Sequence, residues 1–453
     1  MLPHSGGNFQ SRPGFAALRN PLDGYAPRQA RILLVALTIA YVLSFIDRQI
    51  LNLLVEPLKR DLGITDVQVS LLQGASFAII YAMAGLPLAW VADHHSRRRL
   101  IVAGIAVWSA MTAWCGLVRT YPLLALGRAG VGIGEAALSP AAYSMLTDAF
   151  VPRKLPRAMA LYNLGPAIGS GLAYMLGGAI VAAVARIPPV RLGGLGAFRP
   201  WQLAFILVGA LGLVVMIVAL AIREPPRRTG EMEQQGRANL LNCVAFLRRH
   251  RTSVGRMCVG MALLSIVNYA SMAWYPTMFL RDLARPLGEV GMIFGAMYVA
   301  ATISGNLVGA WGAMRCAERG LRVPYLWWMA LSSMLVAISS GLTPLLPGLW
   351  LRYAGIFLAL LTQNLWMGAG VATLHLASPS RLRAQLTAIL LLGTNVVGGL
   401  VGPSAVAALT QYALRDPRSV NVALAFVGAI AGAAGAVTLS TSLRSFDWNQ
   451  PAR

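Results

Sequence analysis

Twelve apolar runs, each long enough to cross about 30 Å of hydrocarbon, recur along this chain and leave few ways for it to fold. They lie near residues 32–54, 68–92, 99–118, 122–149, 157–184, 201–222, 256–280, 287–314, 323–343, 348–377, 384–413 and 420–443. Lipid offers no partner to an open backbone N–H or C=O, so each run is expected to be a helix. Of the 453 residues, 57% are hydrophobic and 12% charged, well under the roughly one quarter charged of a soluble domain. That balance excludes a soluble globular protein and a disordered chain alike.

The net charge of +22 would, in a soluble protein, suggest a nucleic-acid partner. Its distribution gives a different reason. With both termini cytoplasmic, 25 of the 38 basic residues fall in cytoplasmic segments and 11 outside, the last two, Arg48 and Arg128, being within spans. This bias orients membrane helices and accounts for the charge without nucleic acid. The expectation is a monomeric multi-pass protein of a bacterial inner membrane, with no cleaved signal peptide. The spacing of the four cysteines suggests neither a metal site nor a disulfide framework. No metal or cofactor is expected, only a proton as coupling ion.

The longest polar stretch, 223–255, separates six spans from six. A short repeat supports two halves. Arg157-Ala158 and Arg383-Ala384 each follow a proline and a basic turn, 226 residues apart, and Gly165-Pro166 has a counterpart in Gly402-Pro403. The expected fold is all-α and integral to the membrane, with twelve transmembrane helices in two pseudo-symmetric six-helix bundles, 32–222 and 256–443. A cytoplasmic linker at 223–255 joins them, and cytoplasmic tails lie at 1–31 and 444–453.

Four ionisable side chains sit where lipid would charge about 2.5–3.5 kcal/mol for each: Asp47 and Arg48 in the first span, Arg128 and Glu135 in the fourth. The second half has no intramembrane acid, so carboxylate-based coupling belongs to the first. Asp47 and Arg128 lie roughly 10 Å and 9 Å from the outer ends of their spans, so a pair between them is expected. Glu135 lies deeper, roughly 20 Å from outside, with no partner at its level in its own span. A carboxyl buried alone is expected to hold a proton, as a proton carrier must.

The loop after the second span reads Ala89-Trp-Val-Ala-Asp93-His94-His95-Ser96-Arg97-Arg98-Arg99, and the fourth span ends in Asp148. An ion-pair latch is expected here, with Arg97 or Arg98 on Asp148 and Asp93 at the N-terminus of a helix from the other half.

These residues resemble the major facilitator superfamily over nearly the whole chain. The loop is similar to its Gly-x-x-x-Asp-Arg-x-Gly-Arg-Arg motif, departing at Ala89, His94 and Ser96. Arg128-x-x-x-Gly132-x-Gly134 resembles the fourth-helix motif, whose arginine the resemblance links to proton transfer. Gly165-Pro166-x-x-Gly169-x-Gly171 looks like the Gly-Pro motif of antiporters. Within the superfamily, Phe45-Ile-Asp47-Arg48, Gly132-Ile-Gly134-Glu135-Ala136 and Gly169-Ser170-Gly171-Leu172 resemble the spinster branch of lysolipid and sphingolipid transporters. The organic-anion symporter branch, with a similar Asp-Arg pair and fourth-span arginine, stays open.

The implied activity is alternating-access transport, proton-coupled, of an amphipathic or anionic small molecule such as a lysolipid. Alternatives are uptake of small carboxylates with protons, drug/proton antiport, a membrane receptor without transport, and an integral-membrane enzyme. For the enzyme, Ser170 and His375 find no further catalytic element. Polar and aromatic residues within spans are the candidates to line a cavity. In the first half they are Tyr41, Asn52, Gln73, Tyr162 and Asn163. In the second they are Asn268, Tyr269, Trp274, Asn306, Gln363, Asn364 and Asn395. Arg48 and Arg128 are expected on one wall, with aromatics opposite.

Overall fold

The computed structural model describes residues 25–184, 198–227, 240–379 and 382–446. The expected tails at 1–24 and 447–453, and linker residues 228–239, lie outside the described residues. Those described fold into helices, with no strand among them.

The first crossing is α1 (Pro27–Ile50), which tightens into a 3-10 turn at Leu51–Leu53 and is followed by short α2 (Val55–Leu62). The face where α1 begins is called here the N-terminal face, and the opposite one the far face. The chain returns through α3 (Asp66–Gln73) and α4 (Ala75–His94), then recrosses as α5 (Arg97–Leu117). Next come α6 (Tyr121–Ala136) and α7 (Leu138–Ala149), α8 (Leu155–Tyr162) and α9 (Gly165–Val184), and α10 (Pro200–Leu220). After α11 (Leu240–Arg249), the second set is α12 (Arg256–Arg281), α13 (Leu287–Glu318) and α14 (Pro324–Leu342). It ends with α15 (Leu349–Thr362) and α16 (Met367–Ala377), α17 (Arg383–Ala408) and α18 (Val420–Ser445).

Among the described residues, eleven helical spans are long and apolar enough to cross a membrane. The remaining run, 122–149, which carries Arg128 and Glu135, is built of two helices, as the span Leu349–Ala377 also is. It breaks at Ala137 into α6 and α7, of 16 and 12 residues. Pro140 explains the break: it has no N–H to give Ala136, and its ring crowds that carbonyl. The N–H of Ala137 turns instead to Gly134 O at 3.3 Å.

Helices α1, α9 and α10 pack together, α5 packs on both α6 and α10, and α4 packs on α6. In the second set α12 packs on α17 and α18, and α14 on α15 and α18. Two seams join the sets: α9 on α13, and α3 with α4 on α17. Small residues make them possible, since helices without a hydrophobic drive between them associate by close packing. A methyl on Gly74 would overlap Gly399 O, and one on Gly295 would come within 2.5 Å of Gly171 O. Both seams lie toward the far face. Nearer the N-terminal face Met83, Leu86 and Trp90 of α4 are exposed.

Candidate functional site

The charged centre consists of two separate pairs. Asp47 and Arg128 meet with Nη1 donating to Oδ1 at 3.2 Å and to the Asp47 backbone oxygen at 3.4 Å. Thr112 Oγ1 donates to the second oxygen of Asp47. Both charges are sealed from solvent, and among the described residues Arg128 Nε and Nη2 have no hydrogen-bond partner. One residue on, Arg48 points elsewhere. Its Nη2 donates to Glu135 Oε2 at 2.6 Å and its Nε at 3.3 Å. Glu135 is therefore not the lone carboxyl expected above. The long arginine side chain spans the difference in level between residue 48 on α1 and residue 135 on α6. Among the described residues Glu135 Oε1 has no hydrogen-bond partner.

Glycines bring these helices close enough. Gly134 of α6 faces Trp108 and Gly104 of α5, and Gly132 faces Phe77 and Tyr81 of α4. Phe77 and Tyr81, stacked at 5.4 Å, lie with Phe45 around the Arg48 guanidinium, at 4.2, 5.3 and 4.6 Å from ring centre to Cζ. A cation on aromatic faces gains electrostatic attraction without losing its charge. Sequence reading missed this cage. Its signal was available, an aromatic pair four residues apart on one face of the second span.

Arg48 is the charged residue that borders a cavity of about 440 Å³ between the two sets of helices. Asn163, Asn268, Tyr269, Asn306, Gln363, Asn364 and Asn395 line it, as sequence analysis expected, together with Gln49, Met272 and Tyr298. A smaller continuation past Arg48 is bordered by Asn52, Gln73, Phe77 and Tyr81. Three candidates do other work. Tyr41 stacks on Tyr162 at 4.6 Å, joining α1 to α8, and Trp274 Nε1 donates to Pro403 O at 2.9 Å, joining α12 to α17. Arg128 is fully buried behind the wall and does not line the cavity. Aromatics stand on both sides of the cavity: Phe45, Phe77 and Tyr81 surround Arg48, and Tyr269, Tyr298 and Trp366 line the opposite wall as expected. Among these apolar and aromatic side chains the opposite wall also carries amides and hydroxyls: Gln363 donates to Ser271 and Ser340 at 3.0 and 3.1 Å, and Asn395 accepts from Tyr269 at 2.8 Å.

At the N-terminal face Arg97 donates to Asp148, to Ser144 Oγ at 2.9 Å, to Glu224 Oε1 at 3.1 Å and to Pro225 O at 2.8 Å. Arg98 takes no part in the Asp148 pair and donates to Ile222 O at 3.3 Å. Asp93 departs from expectation. Among the described residues its carboxylate makes no ion pair with the second set of helices. It is exposed, and its backbone oxygen accepts from Arg227, which also caps Ala92 O and His95 O. Its neighbour is the segment after α10 rather than a helix of the second set. Glu224 was not foreseen. It accepts from Ser96 Oγ at 2.5 Å and from the Arg97 N–H at 3.0 Å. Burial pushes its carboxyl up, but these hydrogen bonds outweigh that and hold it below the ordinary glutamate range.

A second unforeseen cluster closes the far face. Arg281, the last residue of α12, grips both oxygens of Asp66 at 2.7 and 2.8 Å and Glu56 at 2.6 Å, while Lys59 reaches Asp66 at 2.6 Å. Beneath it, Asn52 Nδ2 and Tyr174 OH donate to Met272 O at 3.2 and 2.9 Å. These contacts join first-set helices to α12 across the seam. From sequence these charges counted only toward orientation.

Two six-span sets around a polar cavity, sealed at one end, define a membrane transporter. A family model for the Major Facilitator Superfamily matches residues 37–319, and the chain belongs to that superfamily. It is a multi-pass membrane protein and a secondary transporter. It is 28% identical over 413 residues to an MFS-type efflux pump of Mycolicibacterium smegmatis, with 90% of each chain covered. It is 24% identical to protein spinster homolog 1 of Xenopus tropicalis, covering 91% of this chain and 81% of that protein. A probable L-galactonate transporter of Escherichia coli is 26% identical over 300 residues, 61% of this chain and 62% of that protein. The crystal structure of a bacterial homolog of the human lysosomal transporter spinster, inward-facing and unoccupied, matches with a TM-score of 0.80 at 24% identity. The match covers 94% of this chain and 100% of that one. The resemblance read from the motifs is thus to the spinster branch.

Proposed function

We propose that this protein carries an organic anion through a bacterial inner membrane together with a proton, by alternating access, with the N-terminal face cytoplasmic. One observation carries the reading: Arg48 borders the cavity while its guanidinium is held by Glu135. An anionic substrate and the Glu135 carboxylate compete for one arginine. A proton on Glu135 releases Arg48 to the substrate, and by reciprocity an anion at Arg48 favours the proton. Anion and proton therefore bind together, which is symport. The cavity is then exposed to each side in turn as the two sets rock, and the Arg281 cluster is the seal that opens in the other state. The substrate is an amphipathic or anionic small molecule; lysolipids and small carboxylates both meet the charge requirement. The similarity to an efflux pump along the full length supports a second reading, proton-linked export.

The test is flux into proteoliposomes under an imposed proton gradient. Glu135→Gln is expected to fold and to keep substrate exchange, but to lose gradient-driven accumulation at least tenfold. Accumulation equal to the parent protein's would remove Glu135 from coupling.

A further inference from the structure

Resting on that reading of Arg48 as the anion end of the site, the opposite wall specifies what the rest of the substrate carries. Asn306 on α13 donates its Nδ2 to Thr302 O at 2.9 Å, and Asn364, between α15 and α16, donates to Leu360 O at 2.8 Å. A backbone carbonyl only accepts, so each amide nitrogen is fixed on its own helix and the assignment of the side-chain oxygen follows. In both, Oδ1 is the atom left for the cavity that the residues line. Asn268 on α12 adds a third: its Nδ2 donates to Gln363 Oε1 at 3.4 Å. Among the described residues none of these three oxygens accepts a hydrogen bond within the protein.

Three separate elements thus offer carbonyl oxygens to one cavity. Such oxygens want O–H or N–H donors, and a hydrocarbon laid against them would leave them desolvated and unpaired. Among the described residues no aspartate or glutamate borders the cavity, so the wall holds no countercharge for an ammonium group. Hydroxyl groups meet the requirement. We infer that the substrate is a hydroxylated organic anion, with a carboxylate or phosphate at Arg48 and hydroxyls donating to Asn268, Asn306 and Asn364. The aliphatic side chains at the cavity's edge, Ile303 and Leu307, then pack against its C–H faces.

Matched pairs of probes test this in proteoliposomes of the full chain under a proton gradient: D-gluconate against hexanoate, and glycerol 3-phosphate against propyl phosphate. The hydroxylated member of at least one pair is expected to be taken up about tenfold faster. Asn306→Leu and Asn364→Leu are each expected to reduce that ratio severalfold, whatever either does to the plain anion's own rate. The ratio separates lost recognition from lost folding, which would depress both members equally. Should a variant not fold, the ratio in the parent protein decides. Equal rates within both pairs, ratios untouched by either variant, or hexadecyl phosphate, which has no hydroxyl on its chain, outrunning every hydroxylated probe would each overturn the inference and leave the proton-linked anion reading intact. If no anion moves, or Arg48→Ala leaves uptake undiminished, that reading falls and the inference with it.

Discussion

Asp47 and Arg48 are neighbours on one turn of α1, yet they have different surroundings. Asp47 is locked with Arg128 and Thr112 behind the cavity wall, whereas Arg48 keeps 13% of its side chain exposed and rests on three aromatic rings. Adjacent helical residues point about 100° apart, which sends the two to partners seven residues apart on α6. Removing one member of a fully buried pair strands the other charge and costs about 3–5 kcal/mol. Asp47→Ala is therefore expected to lower the melting temperature in detergent markedly, and Asp47→Ala with Arg128→Leu to recover most of it. Equal melting temperatures for parent and single variant would sink this structural assignment. The Asp47–Arg128 pair was legible because two ionised groups at matched depth in oil need one another. The Glu135 partner was not, because residue number fixes the level of an arginine Cα and not where its guanidinium ends.

At the scale of elements, the start of α5 is a junction. Arg97 ties it to α7 through Asp148 and to the segment after α10 through Glu224, while Tyr25 OH donates to Arg223 O at 2.9 Å. The loop motif made the Arg97–Asp148 contact legible. Glu224 was not, since it lies 127 residues from Arg97 in a stretch that reads as linker. The native carboxyl sits below its unfolded range, near pH 4.3, so the junction gains stability above that value. The gain is lost as pH falls through the lower native value. Cleavage by an acid-stable protease after α10 is expected to rise as pH falls below the ordinary glutamate range. Glu224→Gln should show the raised cleavage already at pH 7. A pH-independent rate in the parent protein, equal to the variant's, would contradict this. Broken helices divide in the same way. Pro140 announces the α6–α7 break. The break at 363–366 between α15 and α16 has no proline, and it is stabilised by Gln363 donating to Ser271 and Ser340, contacts no local pattern reveals.

For the whole molecule, the apolar runs and the polar stretch between the sixth and seventh were enough for spans and halves, because a bilayer leaves so few alternatives. They carry no information on which end is shut. That depends on pairs such as Arg281–Asp66, 215 residues apart, which exist in one arrangement of the halves and must separate in the other. The side chains of Arg281 and Asp66 are 6% and 4% exposed, and breaking a hydrogen-bonded charge pair so enclosed costs about 2–5 kcal/mol. Arg281→Gln removes that advantage from the far-side-closed state alone, so the balance should move toward far-side opening by more than tenfold. A cysteine at Met272, just beneath the seal in a background with the four native cysteines replaced, reports it. Labelling by a membrane-impermeant thiol reagent applied at the far face is expected to be at least tenfold faster in Arg281→Gln and in Asp66→Asn. The swapped pair Arg281→Asp with Asp66→Arg should slow it again. Unchanged labelling in Arg281→Gln would mean that the glycine seams alone hold the far side closed and that the cluster is only their polar edge.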